Sequence, residues 1–179
     1  QDKTAVPILQ RLVRETKSAA GRGHALWTLN GLHSLDEATL SLAFNDPEPG
    51  VREQGLRLAE ERLTSSEPLR QAAVALAGDS NSKVRFQAAL SLGAADHPEL
   101  VAALARIARR DDNDTWTQTA ILSSASRSGP TLLAALVGDN EFLRATGGSR
   151  LAFLTSLAAL VGTRANDADL ARILNQLAI

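Results

Sequence analysis

The sequence predicts an all-α chain in which about five helical hairpins stack side by side into a superhelix. Three observations carry this reading. Ala and Leu, the two best apolar helix formers, fill 60 of the 179 positions. Val and Ile together reach only 13, and aromatic residues make up 3%, too few for strands that want β-branched and aromatic side chains. A segment also recurs at a period near 33 residues, the signature of a repeat architecture. In that segment Asp46-Pro47-Glu48-Pro49-Gly50-Val51-Arg52 aligns with Asp79-Ser80-Asn81-Ser82-Lys83-Val84-Arg85.

The pattern is an aspartate, a polar loop, Val-Arg, two residues, a small residue and an apolar one. It extends back to Arg22 and forward to Trp116-Thr117 and to Arg150. In the forward extension Trp116 takes the valine slot, a core position, and Thr117 takes the arginine slot. The chain then divides into a partial repeat over 1–20 and repeats near 21–46, 47–79, 80–111, 112–148 and 149–179.

Each repeat reads as two helices. Before the first complete one, Val6 to Lys17 looks like the second helix of a truncated unit. Residues Ala25, Leu26, Leu29 and Leu32 mark an apolar helical stripe, with Trp27 partly buried beside it. Leu35 to Phe44 follows, with Ser34 and Glu37 as a capping box. Residues 67–77 start from a Ser66 cap with Pro68 in the first turn, where a missing N–H costs nothing. Residues 98–109 repeat the device with Asp96 as cap. Pro130 to Val137 and Ala168 to Ala178 complete the second helices, the last with a stripe of Leu170, Ile173, Leu174 and Leu177. Asp139 to Thr146 is irregular: it has room for one or two extra helical turns, broken by Gly147-Gly148. A lone hairpin of about 30 residues cannot bury its apolar stripe. Stacked neighbours can, each touching only the next.

Composition narrows the function. The 19 basic and 20 acidic residues nearly cancel, and no half of the chain holds the cationic surplus that phosphate-dominated DNA binding requires. With no Cys there are no disulfides, thiolate metal sites or thiol nucleophiles. No run approaches 18 apolar residues, so no membrane span is expected. The first residues, Gln1-Asp2-Lys3-Thr4, lead into an amphipathic segment rather than a signal peptide; the chain reads as a mature product or a segment of something longer.

Candidate chemistry is sparse. His24, His33 and His97 form no metal-ligand spacing, and no H-E-x-x-H occurs. Ser123, Ser124, Ser126 and Ser128 cluster without a G-x-S-x-G elbow, a pattern of cap and turn chemistry. Gly21-Arg22-Gly23 lacks the third glycine of a phosphate loop. No catalysis, metal or cofactor is expected.

The Asp-Pro-x-x-x-Val-Arg loop followed by a small-apolar helix resembles the HEAT repeat in its bacterial HEAT-like form, over nearly the whole chain. The resemblance implies a right-handed α-α superhelix and a structural ladder joining units, with Arg22, Arg52, Arg85 and Arg150 as its arginines and Asp46, Asp79 and Asp111 or Asp112 as its aspartates. Thr117 departs from it, which implies a weaker or differently held joint between the third and fourth units. A narrower resemblance lies in Arg22-x-His24-Ala25-Leu26-Trp27-Thr28-Leu29, Val51-Arg52 with Arg57-Leu58-Ala59-Glu60, and Val84-Arg85-Phe86-Gln87 with Ala89-Leu90-Ser91-Leu92-Gly93. These look like the HEAT segment of large exported bacterial proteins that join a dehydrogenase-like propeller to a c-type haem domain. The implied role is a spacer or docking arm, periplasmic or exported, without the haem-attachment motif itself.

In HEAT solenoids the second helices line a concave face. The resemblance then places Arg70, Arg106 and Arg110 in a groove able to meet an acidic peptide or domain, Arg106 and Arg110 sharing a helix face at i, i+4. The plainer reading of Arg106, Arg109 and Arg110 before Asp111, Asp112 and Asp114 is helix-end electrostatics. Trp116, if exposed, is a natural partner hot spot. The leading expectation is a non-enzymatic scaffold for another protein or another domain of its own chain, with neither nucleic acid nor membrane as partner. Alternatives are a nucleic-acid-binding HEAT module of the base-excision type and a HEAT-like bilin lyase subunit.

Overall fold

The computed structural model describes residues 3–94, 97–144 and 148–163. Among them lie eleven α-helices and no strand. In chain order they are α1 (Val6–Glu15), α2 (Ala19–Gly31), α3 (Glu37–Phe44), α4 (Pro49–Ala59), α5 (Glu67–Leu76), α6 (Ser82–Ser91), α7 (Pro98–Arg110), α8 (Thr115–Ser124), α9 (Gly129–Val137), α10 (Asn140–Arg144) and α11 (Gly148–Gly162). The terminal stripe from Leu170 to Leu177, the helix over 168–178, and Asp96 lie outside the described residues.

The helices form two layers. The first helices, four of which carry the recurring arginine, pack in the series α2, α4, α6, α8, α11, and the second helices in the series α1, α3, α5, α7, α9. Sequential neighbours also pack directly, most closely α1 on α2 and α3 on α4. This is the arrangement of an α-solenoid, and one continuous apolar core runs through it. Leu26, Leu29, Leu40, Leu56, Leu63, Leu69, Leu92, Leu104, Ile107, Ile121, Leu132 and Leu157 are each fully buried or within 1% of it. Alanine is the commonest companion: Ala43, Ala59, Ala73, Ala77, Ala88 and Ala89 show no exposure. These small side chains let helix axes approach to roughly 8–10 Å.

One cap differs from the sequence expectation. α3 is capped by Asp36, whose Oδ1 accepts the Thr39 amide at 2.7 Å, while the Ser34 hydroxyl donates backwards to the Leu32 carbonyl at 3.1 Å. The carboxylate sits one residue from the first turn, where its charge also meets the positive end of the helix. His97 caps α7, its Nδ1 accepting the Glu99 amide at 3.4 Å. Ser66 caps α5 through the Leu69 amide at 3.3 Å. The described part of the irregular stretch contains one short helix, α10, and Gly148 opens α11. His33 ends α2 with φ 52°, the left-handed turn that closes many helices.

One glycine is required by packing. Gly93, in the tight turn after α6, lies against the end of α8. A Cβ there would fall 2.3 Å from the Ser124 Cβ and 2.6 Å from its Cα. Because backbone must yield, Gly93→Ala should destabilise the fold by about 3 kcal/mol. Urea unfolding followed by circular dichroism reads this; a loss below about 1 kcal/mol would mean that the two helix ends separate without cost.

Candidate partner-binding surfaces

The recurring arginine is positioned by the loop that precedes it. Its side chain turns back along its own helix, and its planar guanidinium can then bond two loops at once. Arg52 shows the pattern. Nη1 donates to the Asp46 carbonyl of its own loop at 2.7 Å, while Nε and Nη2 form a fork on the Asp79 carboxylate of the next loop at 2.8 and 2.9 Å. Arg85 donates to the Asp79 carbonyl at 2.8 Å and forks onto Asp111 at 2.7 and 2.5 Å. Arg22 donates to the Thr16 carbonyl at 2.9 Å and forks onto Asp46 at 2.5 and 2.7 Å. Asp46 and Asp79 also shape their own loops by accepting the amides of Glu48 and Asn81, both at 2.8 Å.

The fourth unit is built differently. The residue whose side chain reaches the carbonyl six positions back is Gln118, through Nε2 to the Asp112 carbonyl at 2.5 Å. Gln118 therefore occupies the arginine slot, and Thr117, 1% exposed, takes the buried valine slot of Val51 and Val84. This corrects the sequence register by one residue. It also removes Trp116 from the core: its side chain stands at the position of Gly50 and Lys83 and is 75% exposed. Gln118 carries no charge for a following aspartate. The joint is instead held from the other side, by Arg150 bonding backwards to the Asp112 carboxylate and donating to the Phe142 carbonyl at 2.6 Å. The Arg150 guanidinium lies 4.6 Å from the Phe142 ring centroid, a cation–π contact.

A second row of inter-unit hydrogen bonds runs along the first helices. Trp27 Nε1 donates to Gln54 Oε1 at 2.8 Å, and at the same register one unit later Arg57 Nε donates to Gln87 Oε1 at 2.7 Å. Trp27 is 45% exposed.

The second-helix arginines cap neighbouring helix ends. Arg106 Nη2 reaches the Val74 carbonyl at 2.5 Å and Arg110 Nη1 the Gly78 carbonyl at 3.0 Å, both at the C-terminal end of α5. Arg109 turns the other way, to Asp139 at 2.6 Å and to the Ala135 carbonyl of α9 at 3.0 Å. Cations here meet the negative ends of helices. Arg106 and Arg110 remain exposed. Arg70 is drawn into the joint, with Glu99 at 3.2 Å and the Leu63 carbonyl at 3.3 Å.

His24 and His33 are exposed. Ser123 and Ser124 hydroxyls donate to the carbonyls of Ala120 and Leu90. Among the described residues no group of His, Asp and Glu could hold a metal ion, and no helix is long and apolar enough to cross a membrane.

Lowered carboxyls at Asp79 and Asp36 make the fold acid-sensitive. Burial works against the ionised Asp79, yet hydrogen bonds from Arg52 and the Asn81 amide, with the charges of Arg52 and Arg85, hold its carboxyl below the usual range. Asp36 is lowered too, first by the Thr39 hydrogen bonds. The arginines Arg22, Arg52 and Arg85 are raised, chiefly by their forks on Asp46, Asp79 and Asp111, so they stay charged throughout the working range. A carboxyl depressed in the folded state stabilises it fully above its unfolded value of about 3.9, and that stability disappears as pH falls through the folded value. The melting temperature should thus be flat above about pH 5 and fall steeply below about pH 4. Asp79→Asn should cost about 3 kcal/mol at neutral pH, since it strands the Arg52 charge, and should flatten the acid limb. Thermal melts across this pH range check both; an unchanged acid limb would place the sensitivity elsewhere.

Comparison with known protein families gives a match. The family described as HEAT repeats matches residues 36–125, from the cap of α3 to the end of α8, half of the chain. No curated protein and no solved structure matches it. Repeats of this kind generally serve as scaffolds for protein–protein interaction and are typically non-catalytic. The matched span holds the loops of Asp46, Asp79 and Asp111 and the arginines Arg52 and Arg85, the pieces that tie successive hairpins together, and the chain belongs to the HEAT-repeat family.

Proposed function

We propose that the chain is a non-catalytic scaffold that holds another protein, or a neighbouring domain of its own polypeptide, as the HEAT segment of a larger exported multidomain protein. One observation carries the reading: Trp116 presents a 75% exposed indole at the start of α8, where the equivalent positions in other units are Ala20, Gly50, Lys83 and Gly148. A tryptophan left in water at a site that tolerates glycine or lysine does not serve the fold, and its burial in a partner would supply binding energy. Arg106 and Arg110 support a second contact on the opposite layer. Each uses one N–H on a helix end and keeps donors for an acidic group. Arg70 acts from within the joint, keeping α5 and α7 in register. Duplex DNA is not the partner in this reading, because the arginines Arg22, Arg52, Arg85, Arg109 and Arg150 are each matched by an aspartate.

The test is a photocrosslinking amino acid at position 116 of the full-length polypeptide in its native cell, with the same group at exposed Gln71 as control. A discrete product from position 116, identified by mass spectrometry and absent from position 71, is expected. Trp116→Ala should then weaken the purified pair by about 30-fold, the scale of an interface hot spot. Equal, diffuse labelling from both positions would remove Trp116 from the account.

A further inference from the structure

The first helices meet at successive joints, and two register positions recur at each: the residue after the slot arginine on one helix and the residue two before it on the next. At the joint of α2 and α4 these are Gly23 and Gly50, and both line an open groove of about 420 Å³. The equivalents are Glu53 and Lys83 at the next joint, then Phe86 and Trp116, then Thr119 and Gly148. The first joint thus lacks the large side chains that the second and third carry. A Cβ added at either Gly23 or Gly50 would meet nothing within 4 Å, so helix packing does not demand these glycines. They cost helix stability relative to alanine.

Four polar side chains line the groove, His24, Trp27, Glu48 and Gln54, and two of them give it a direction. Trp27 walls one part of it, and its indole is fixed by the hydrogen bond to Gln54. Glu48 also lines it. Asp46, rather than Glu48, organises the loop, and Glu48 makes no side-chain cap on α4. The exposed Glu48 carboxylate feels the charges of Arg22 and Arg52, but those are matched by Asp46 and Asp79. One negative charge is left in excess beside an apolar floor and an aromatic wall.

We infer that the α2–α4 groove receives one arginine side chain from a partner segment. Its aliphatic stem lies over Gly23 and Gly50 beside the Trp27 indole, and its guanidinium meets Glu48. Arginine fits better than lysine because its weakly hydrated, planar head packs against an indole while still pairing with a carboxylate. An apolar stem with a charged tip is also the shape that a half-open, apolar groove with an acidic margin accommodates. The inference names a partner chemistry for the scaffold role and rests on that role, but it uses a surface distinct from Trp116.

The experiment follows the two indole N–H resonances of the intact chain, assigned with Trp116→Phe, during titration with the blocked peptide acetyl-Ala-Arg-Ala-amide. The Trp27 resonance should shift saturably with a Kd of about 1 mM, typical of a single side-chain subsite, while Trp116 stays still. The citrulline peptide, equal in shape but uncharged, and the Glu48→Gln chain should each bind about threefold to fivefold more weakly. Gly50→Leu fills the groove and should abolish the shift while keeping the thermal melt of the parent; Gly23→Leu provides the same plug on the facing helix. No saturable Trp27 shift, equal binding of the citrulline peptide, or undiminished binding by both plugged chains would each overturn the inference. A discrete crosslink from position 116 together with no saturable Trp27 shift would leave the scaffold reading standing while this one fails.

Discussion

A guanidinium carries its donors in one rigid plane, and in this chain that plane is anchored on both sides of a joint. Arg52 holds the backbone of its own loop with one nitrogen and the carboxylate of the next loop with two others; Arg22 and Arg85 repeat the arrangement. Apolar burial supplies most of the drive to stack, but burial has no direction. Alanine-rich helices could slide along one another at little loss of contact. The forked ion pairs specify which turn of one helix faces which loop of the next. Each sits almost dry, with side-chain exposures of 10% and 7% for Arg22 and Asp46. Breaking one member therefore leaves an uncompensated charge rather than a neutral gap.

The fourth unit shows what happens when that element changes. Gln118 reproduces the local half of the arginine's work, the bond to its own loop carbonyl, but cannot reproduce the charged half. The adjacent aspartates Asp111 and Asp112 then divide the labour. Asp111 accepts the regular fork from Arg85, and Asp112 accepts Arg150 from the following unit. Arg109 and Asp139 add a crossing pair between α7 and the loop after α9. Continuity of the rod survives because Asp112 gives the loop a second ladder carboxylate beside the one that the regular repeat uses.

Much of this was legible in the residues. Ala and Leu spacing marked the helices, and the 33-residue recurrence of Asp and Val-Arg marked the joints. The errors have local causes. Ser34 and Asp36 both precede the stripe of α3, and only the three-dimensional path shows which oxygen meets the free amides. Trp116 reads as core at an offset of 32, yet an unbroken offset of 33 from Arg85 falls on Gln118, and the four-residue loop Asp111-Asp112-Asn113-Asp114 hides which acid sets the count. The α2–α4 groove left no trace in the sequence: glycine within a helix on an exposed face has the same one-letter signature whether it opens a cleft or merely tolerates solvent.

The rungs from Arg22 to Asp46, Arg52 to Asp79 and Arg85 to Asp111 all run the same way along the chain. Such a one-way hook and eye makes each module a link whose front fits the back of any other. Gene duplication or splicing within this stretch can lengthen or shorten the array in whole links without redesigning a seam. The backward clasp of Arg150 on Asp112 is keyed to its own neighbour, so growth by copying is confined to the portion that precedes it.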